Sequence, residues 1–308
     1  MNNKNEKSLW EKIQAYGSLE IYAKQLVEGF ITGLHKSPFH GFSVEFAEHK
    51  LYNSGESMRH IDWKVFAKTD KLFVKRYEEE TNLRCHLLLD ISASMFYPLE
   101  TRSKLIFSAL GAGALAYLLQ KQRDAVGLTL FSDRVDVQLP AKSTGGHLHQ
   151  VFEELEKCIR TPEHHFTGTT LVETLHTMAE TMPKRSMVIL FSDMFEHTEN
   201  VQLLFEALQH IRHKRHEVIL FHVTDKSTEL HFDFEDRPYE FIDLETGEKL
   251  KVHPKQVREL YKEKMNFFYD ELKIRCGQYK IDYMEVDVKN GFDTVFMAFM
   301  AKRMRGSY

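Results

Sequence analysis

Cysteine is scarce in this sequence: Cys85, Cys158 and Cys276 are the only three among 308 residues. They are odd in number, far apart and without metal-ligand spacing. That argues against a disulfide framework, fits a reducing compartment and leaves burial in the core as their expected role. An excess of positive charge is also missing. With a formal net charge of -4, the chain has no broad basic field for a phosphate backbone, and nucleic acid is not expected as a partner. The start, Met1 to Trp10, lacks the apolar stretch of a secretory signal. The most apolar run, Leu105 to Leu119, is short for a membrane span, and its Ser, Gly and Ala residues suit a closely packed core helix. A cytoplasmic chain without a transmembrane segment is the expectation. Neither a fixed-period repeat nor a low-complexity linker is present. The seventeen histidines form no HExxH pattern; pairs such as His147/His149 and His164/His165 are expected by chance and read as solvated surface.

What the chain does contain is ordinary globular composition, 43% hydrophobic and 28% charged, enough for one large domain and a smaller attachment. From Ser18 to Leu34, apolar residues at Leu19, Tyr22, Leu26, Phe30 and Leu34 recur at three to four residues, which predicts a helix with one buried face. Residues 36 to 83 change character, with Pro38, Gly41, Gly55, many charges and a short β-like stretch at Leu72-Phe73-Val74. Residues 1–83 therefore read as an N-terminal leader attachment. Beyond it, short apolar runs at 87–90, 126–132, 187–193, 218–223 and 281–286 alternate with helical patterns at 104–122, 148–159, 171–182, 201–213 and 256–276. Apolar strands separated by amphipathic helices predict a doubly wound α/β domain with a mostly parallel sheet, spanning 84–300. Near 238–252 an inserted hairpin is expected, with Gly247 in its turn.

In such sheets, loops at the carboxyl ends of the strands form the ligand rim. The strand Leu87-Leu88-Leu89 ends at Asp90, and Ser92 and Ser94 follow; Asp193 ends the strand Met187 to Phe191 in the same way. Thr169 and Thr170 follow Gly168 at the start of a helix. All are hard oxygen donors, which suit Mg²⁺, or another ion of that chemistry such as Mn²⁺, rather than zinc. Two carboxylates and several hydroxyls leave the ion short of negative charge, so a carboxylate from another molecule could complete its coordination. The plain alternative for the Asp90-x-Ser92-x-Ser94 string is helix capping. Asp133 duplicates the Phe-Ser-Asp of Asp193, but Val135, Val137 and Leu139 alternate after it, which makes Asp133 a turn residue leading into an antiparallel strand. The nearby Arg59, Asp62 and Trp63 read as structural, docking the leader.

Asp90-x-Ser92-x-Ser94, a later Gly-Thr and a later strand-terminal Asp resemble the metal-ion-dependent adhesion site of von Willebrand A domains. The resemblance implies that Ser92, Ser94 and Thr169 hold the ion directly, with Thr170 as the fallback, while Asp90 and Asp193 act largely through bound water. Upstream, Glu45-Phe46, Tyr52, Gly55, Arg59-His60-Ile61-Asp62-Trp63 and Val74-x-x-Tyr77-x-Glu79 look like the leader of the bacterial domain-of-unknown-function family fifty-eight. That family pairs such a leader with a von Willebrand A-like domain and is associated with MoxR-type AAA+ ATPases. Two positions depart from the family's usual residues, Lys50 in place of Arg and Glu56 in place of Asp, and both lie away from the proposed metal site. The expectation is a non-enzymatic, Mg²⁺-dependent protein-interaction module, an adaptor or co-chaperone. Its partner would be a protein presenting an Asp or Glu, a MoxR-type ATPase or its client. The alternative is a Mg²⁺-dependent phosphohydrolase with Asp90 as nucleophile. Against that alternative, Ser92 stands where such an enzyme places a carboxylic general acid.

Overall fold

The computed structural model describes residues 9–35, 49–51, 65–66, 72–75, 83–99, 101–161, 171–195, 201–244 and 247–305. The chain divides into two compact units, residues 1–30 with 83–308, and residues 31–82. The expected leader, 1–83, thus does not coincide with one unit, because residues 1–30 belong with the α/β domain. In the smaller unit, β1 (His49–Leu51) pairs antiparallel with β2 (Phe73–Lys75), so the β-like stretch anticipated at 72–74 is a strand. The Arg59-to-Trp63 string lies outside the described residues.

The larger unit is built on a six-stranded sheet. Its strands are β3 (Arg84–Asp90), β4 (Ala125–Phe131), β5 (Val135–Lys142), β6 (Met187–Ser192), β7 (Glu217–Thr224) and β10 (Asp282–Asp287), in the order β10-β7-β6-β3-β4-β5. All neighbours are parallel except β4 and β5. The buried strands are near-continuous apolar runs because helices cover both faces. Every residue of β6 is buried. By contrast β5, the antiparallel edge, alternates between half-buried and exposed residues, which is why its sequence showed a period of two.

The helices are α1 (Leu9–Ala15), α2 (Leu19–His35), α3 (Ser103–Lys121), α4 (Gly145–Arg160), α5 (Leu171–Thr181), α6 (Val201–His213), α7 (Pro254–Gln278) and α8 (Phe292–Arg305). Of these, α1 and α8 were not anticipated. The 19-residue α3 is long and apolar enough to cross a membrane by length and composition, four residues longer than its apolar run suggested, but it is buried along most of its length. It lies close to the sheet because Gly111 has no side chain: a Cβ there would meet Phe191 Cε1 at 2.9 Å. On its outer side, Glu28 of α2 accepts hydrogen bonds from Tyr117 (2.5 Å) and Lys121 (2.7 Å). All three cysteines are buried and none is in a disulfide.

Between β7 and α7 the chain makes a π-helical turn, Lys226–Leu230, then the antiparallel ribbon β8 (Tyr239–Ile242) and β9 (Lys249–Val252). Gly247 adopts φ 72° at the end of this ribbon, the left-handed conformation that glycine tolerates without strain.

Candidate functional site

The chain leaves β3 toward β4 on one side and leaves β6 toward β7 on the other. The crevice at the carboxyl ends of β3 and β6 is therefore the sheet's topological switch point, where ligands bind in open α/β folds. Leu89 of β3 pairs with Phe191 of β6, so the next residues, Asp90 and Ser192, emerge side by side. The four described site residues predicted from sequence, Asp90, Ser92, Ser94 and Asp193, belong to the two loops at this crevice. Thr169 and its fallback Thr170 lie outside the described residues.

Asp90 is 1% exposed. One carboxylate oxygen accepts from the Ser92 amide (2.9 Å), the other from the Ser192 hydroxyl (2.7 Å). All of its described hydrogen-bond donors are neutral, and no described cation lies within ion-pair distance. Burial, reinforced by the neighbouring charge of Asp193, raises its pKa from 3.8 to about 6, although the Ser92 and Ser192 donors pull the other way. The Ser92 and Ser94 hydroxyls lie 3.1 Å apart and bond to each other. Ser92 precedes the 3-10 turn Ala93–Phe96, yet its side chain makes no capping bond. The capping explanation therefore does not account for Ser92. Asp133 sits in the turn expected for it, accepting from Ser132 (3.1 Å).

Two charged residues that the sequence reading missed complete the site. Lys104, in the first turn of α3, is wholly buried; its ammonium donates to Asp193 Oδ2 at 2.8 Å and to Glu229 Oε1. Burial alone would lower the lysine pKa, but Asp193 and Glu229 outweigh it and raise the value. A helix N-terminus repels a cation, and α3 has no acidic residue in its first turn, so these two carboxylates supply the compensation. Glu229 sits on the π-helical turn, where its other oxygen accepts from the Asp225 amide (2.7 Å). Its pKa is raised, chiefly by burial. A lysine early in an apolar helix was the available signal for this pair.

The loop after β6 is fixed from below by His222. Its Nε2 is 3.0 Å from the Asp193 carbonyl and its Nδ1 2.7 Å from the Tyr283 hydroxyl. A carbonyl only accepts, so the proton resides on Nε2, and Nδ1 accepts from Tyr283. Burial holds this imidazole neutral, with a pKa lowered to about 4. Asp193 Oδ1 in turn accepts from the Phe195 amide (3.1 Å).

Asp90, Asp193 and Glu229 bring three carboxyl groups against the one described ammonium, that of Lys104, a surplus of acidic groups that a cation would offset. The donors at the crevice are oxygen atoms of the class that Mg²⁺ selects. Among the described residues, no cluster of three or more His, Cys, Asp or Glu is arranged to hold a metal by itself; the fit rests on hydroxyls together with carboxylates.

A family model described as protein of unknown function DUF58 matches residues 48–267. Uncharacterized proteins of Mycobacterium bovis and Mycobacterium tuberculosis are each 24% identical over 211 residues, covering 68% of this chain and 64% of the relative. The match thus spans less than two thirds of those relatives' length. Similar solved structures include the conserved hypothetical protein BatB from Bacteroides thetaiotaomicron, with 18% identity over 73% of this chain and 100% of that one, at a TM-score of 0.41. They also include the SpRpn10 VWA domain, with 14% identity over 49% of this chain and 79% of that one, at a TM-score of 0.32.

Proposed function

The chain belongs to the DUF58 family, and from that premise we propose that it is a protein-interaction module whose switch-point crevice holds Mg²⁺ and captures an acidic side chain of a partner protein. Ser92, Ser94 and Thr169 or Thr170 would hold the ion directly, with Asp90 and Asp193 acting through bound water. When bound, the ion supplies a Lewis-acidic position for an incoming carboxylate. Lys104 is compatible with this arrangement, because an Asp193 that acts through water need not surrender its ion pair.

The observation that carries the reading is Asp90, a carboxylate 1% exposed at the switch point, with neutral donors and no described counter-ion. Burying a carboxylate without a counter-charge is costly, and a cation in the crevice removes that cost. The same burial weighs against the phosphohydrolase alternative, since a nucleophile must be presented to the phosphoryl group and Asp90 is 1% exposed. The buried cysteines, none in a disulfide, support a reducing, cytoplasmic setting.

A MoxR-type AAA+ ATPase, or its client, is the partner to test first. Binding of such an ATPase is measured with Mg²⁺, with chelator, and with Asp90→Ala. Loss of binding under the last two conditions supports the reading, and indifference to all three overturns it.

A further inference from the structure

Beside the crevice lies a cavity of about 720 Å³ whose lining includes Ser94 itself. It opens directly at a proposed metal ligand. Its walls are aromatic: Phe232 packs 4.5 Å from Tyr261, 4.9 Å from Phe234 and 5.4 Å from Phe241, between ring centroids. Phe232 holds φ 51°, a left-handed conformation that is costly for a bulky residue and persists only where surrounding packing enforces it. This strained residue lies just past the turn that carries Glu229 to Lys104, after Leu230 and His231, so one short segment builds both the charged site and the apolar wall. π-Helical turns of this kind are frequent at functional sites.

The far side of the cavity is the β8–β9 ribbon. Ile242 and Leu250 line it while remaining 50% and 64% exposed. An apolar rim that continues onto the outer surface suits a protein surface better than a small molecule enclosed within the cavity. The volume falls within the roughly 300–1,000 Å³ of ligand-sized clefts, room for at least one large side chain. The crevice at Ser94 is suited to an anion once a cation is bound.

We propose that the cavity and the crevice together receive one extended segment of a partner protein. The segment would carry an Asp or Glu at the crevice and a bulky apolar side chain in the aromatic cavity. The acidic-residue part rests on the metal reading above; the apolar part rests on the cavity alone.

The test uses the full chain and fluorescein-labelled peptides with one Asp and a Phe placed one, two or three residues later. Asp→Asn and Phe→Ser counterparts accompany them, and fluorescence anisotropy is read with Mg²⁺ and with chelator. The expected result is that at least one Asp–Phe peptide binds about tenfold or more tightly than its Phe→Ser counterpart, as burial of one large apolar side chain implies. The double variant Ile242→Ser with Leu250→Ser, both at exposed positions, should lose that ratio and keep the wild-type circular dichroism spectrum. Equal binding with and without Phe overturns the proposal while leaving the metal reading standing, as does a ratio unchanged in the double variant. Phe-dependent binding that persists in chelator and in the Asp→Asn peptide supports the cavity and overturns the metal reading. Failure of every peptide to bind overturns the proposal.

Discussion

Lys104 Nζ and Asp193 Oδ2 are 2.8 Å apart, and neither side chain has any exposure to solvent. The pair ties the first turn of α3 to the loop after β6, and Glu229 joins it from the π-helical turn. A buried ion pair of this kind contributes little over a well-packed apolar substitute, but breaking it from one side is expensive. Lys104→Met should therefore cost about 3–5 kcal/mol in urea denaturation. Adding Glu229→Gln should recover part of that loss, since it removes one of the two carboxylates left unpaired. If Lys104→Met proves neutral, the ammonium is not what holds the three segments together.

Asp90 gives the site a pH signature. Without divalent cations its pKa rises from 3.8 to about 6 in the fold, so between those values the folded state binds more protons than the unfolded state. Its burden on stability is absent below pH 3.8, grows as pH rises and is complete above about pH 6. Asp90→Asn should therefore exceed the wild type in stability above that value, by on the order of 1–3 kcal/mol, with the difference shrinking in acid. The imidazoles of half-buried His86 on β3 and buried His222, both lowered to about 4, destabilise the fold as pH falls. They are common to both proteins and cancel in the comparison. Denaturation of both in chelator across this range checks it, and a difference that does not vary with pH contradicts it.

Gly111 tests the seat of α3. Alanine is the better helix former by about 1 kcal/mol, but its Cβ would stand 2.9 Å from Phe191, a buried ring stacked at 4.6 Å on Phe221. Overpacking costs about 1–3 kcal/mol and should win, so Gly111→Ala is expected to lower the thermal midpoint. Gly145→Ala, where a Cβ meets nothing within 4 Å, should not lower it.

Much of this architecture was legible because the parallel strands are buried on both faces and stand out as apolar runs between helical patterns. Asp90, Ser92, Ser94 and Asp193 were legible as residues that follow or end such strands, and the β8–β9 ribbon through Gly247. Helix α8 was missed although Phe292, Phe296, Phe299 and Met300, all buried, recur at helical spacing. Lys104 and Glu229 were missed for a different reason. They stand 125 residues apart, each unremarkable in its own segment, and become a pair only when the fold brings α3 against the turn after β7. The grouping of residues 1–30 with the α/β domain was likewise set by long-range contacts, such as the Leu19 amide to Glu156 (2.8 Å), which no local pattern announces.

The most direct test of the central claim is the thermal midpoint of the full chain as free Mg²⁺ is raised from chelator, for wild type, Asp90→Ala and Ser94→Ala. A bound ion stabilises the fold increasingly with its concentration, by about 2.7 kcal/mol at one hundred times its dissociation constant. The account predicts that rise in the wild type and its loss in both variants. A wild-type midpoint that stays flat with Mg²⁺, or an equal rise in all three proteins, would contradict it.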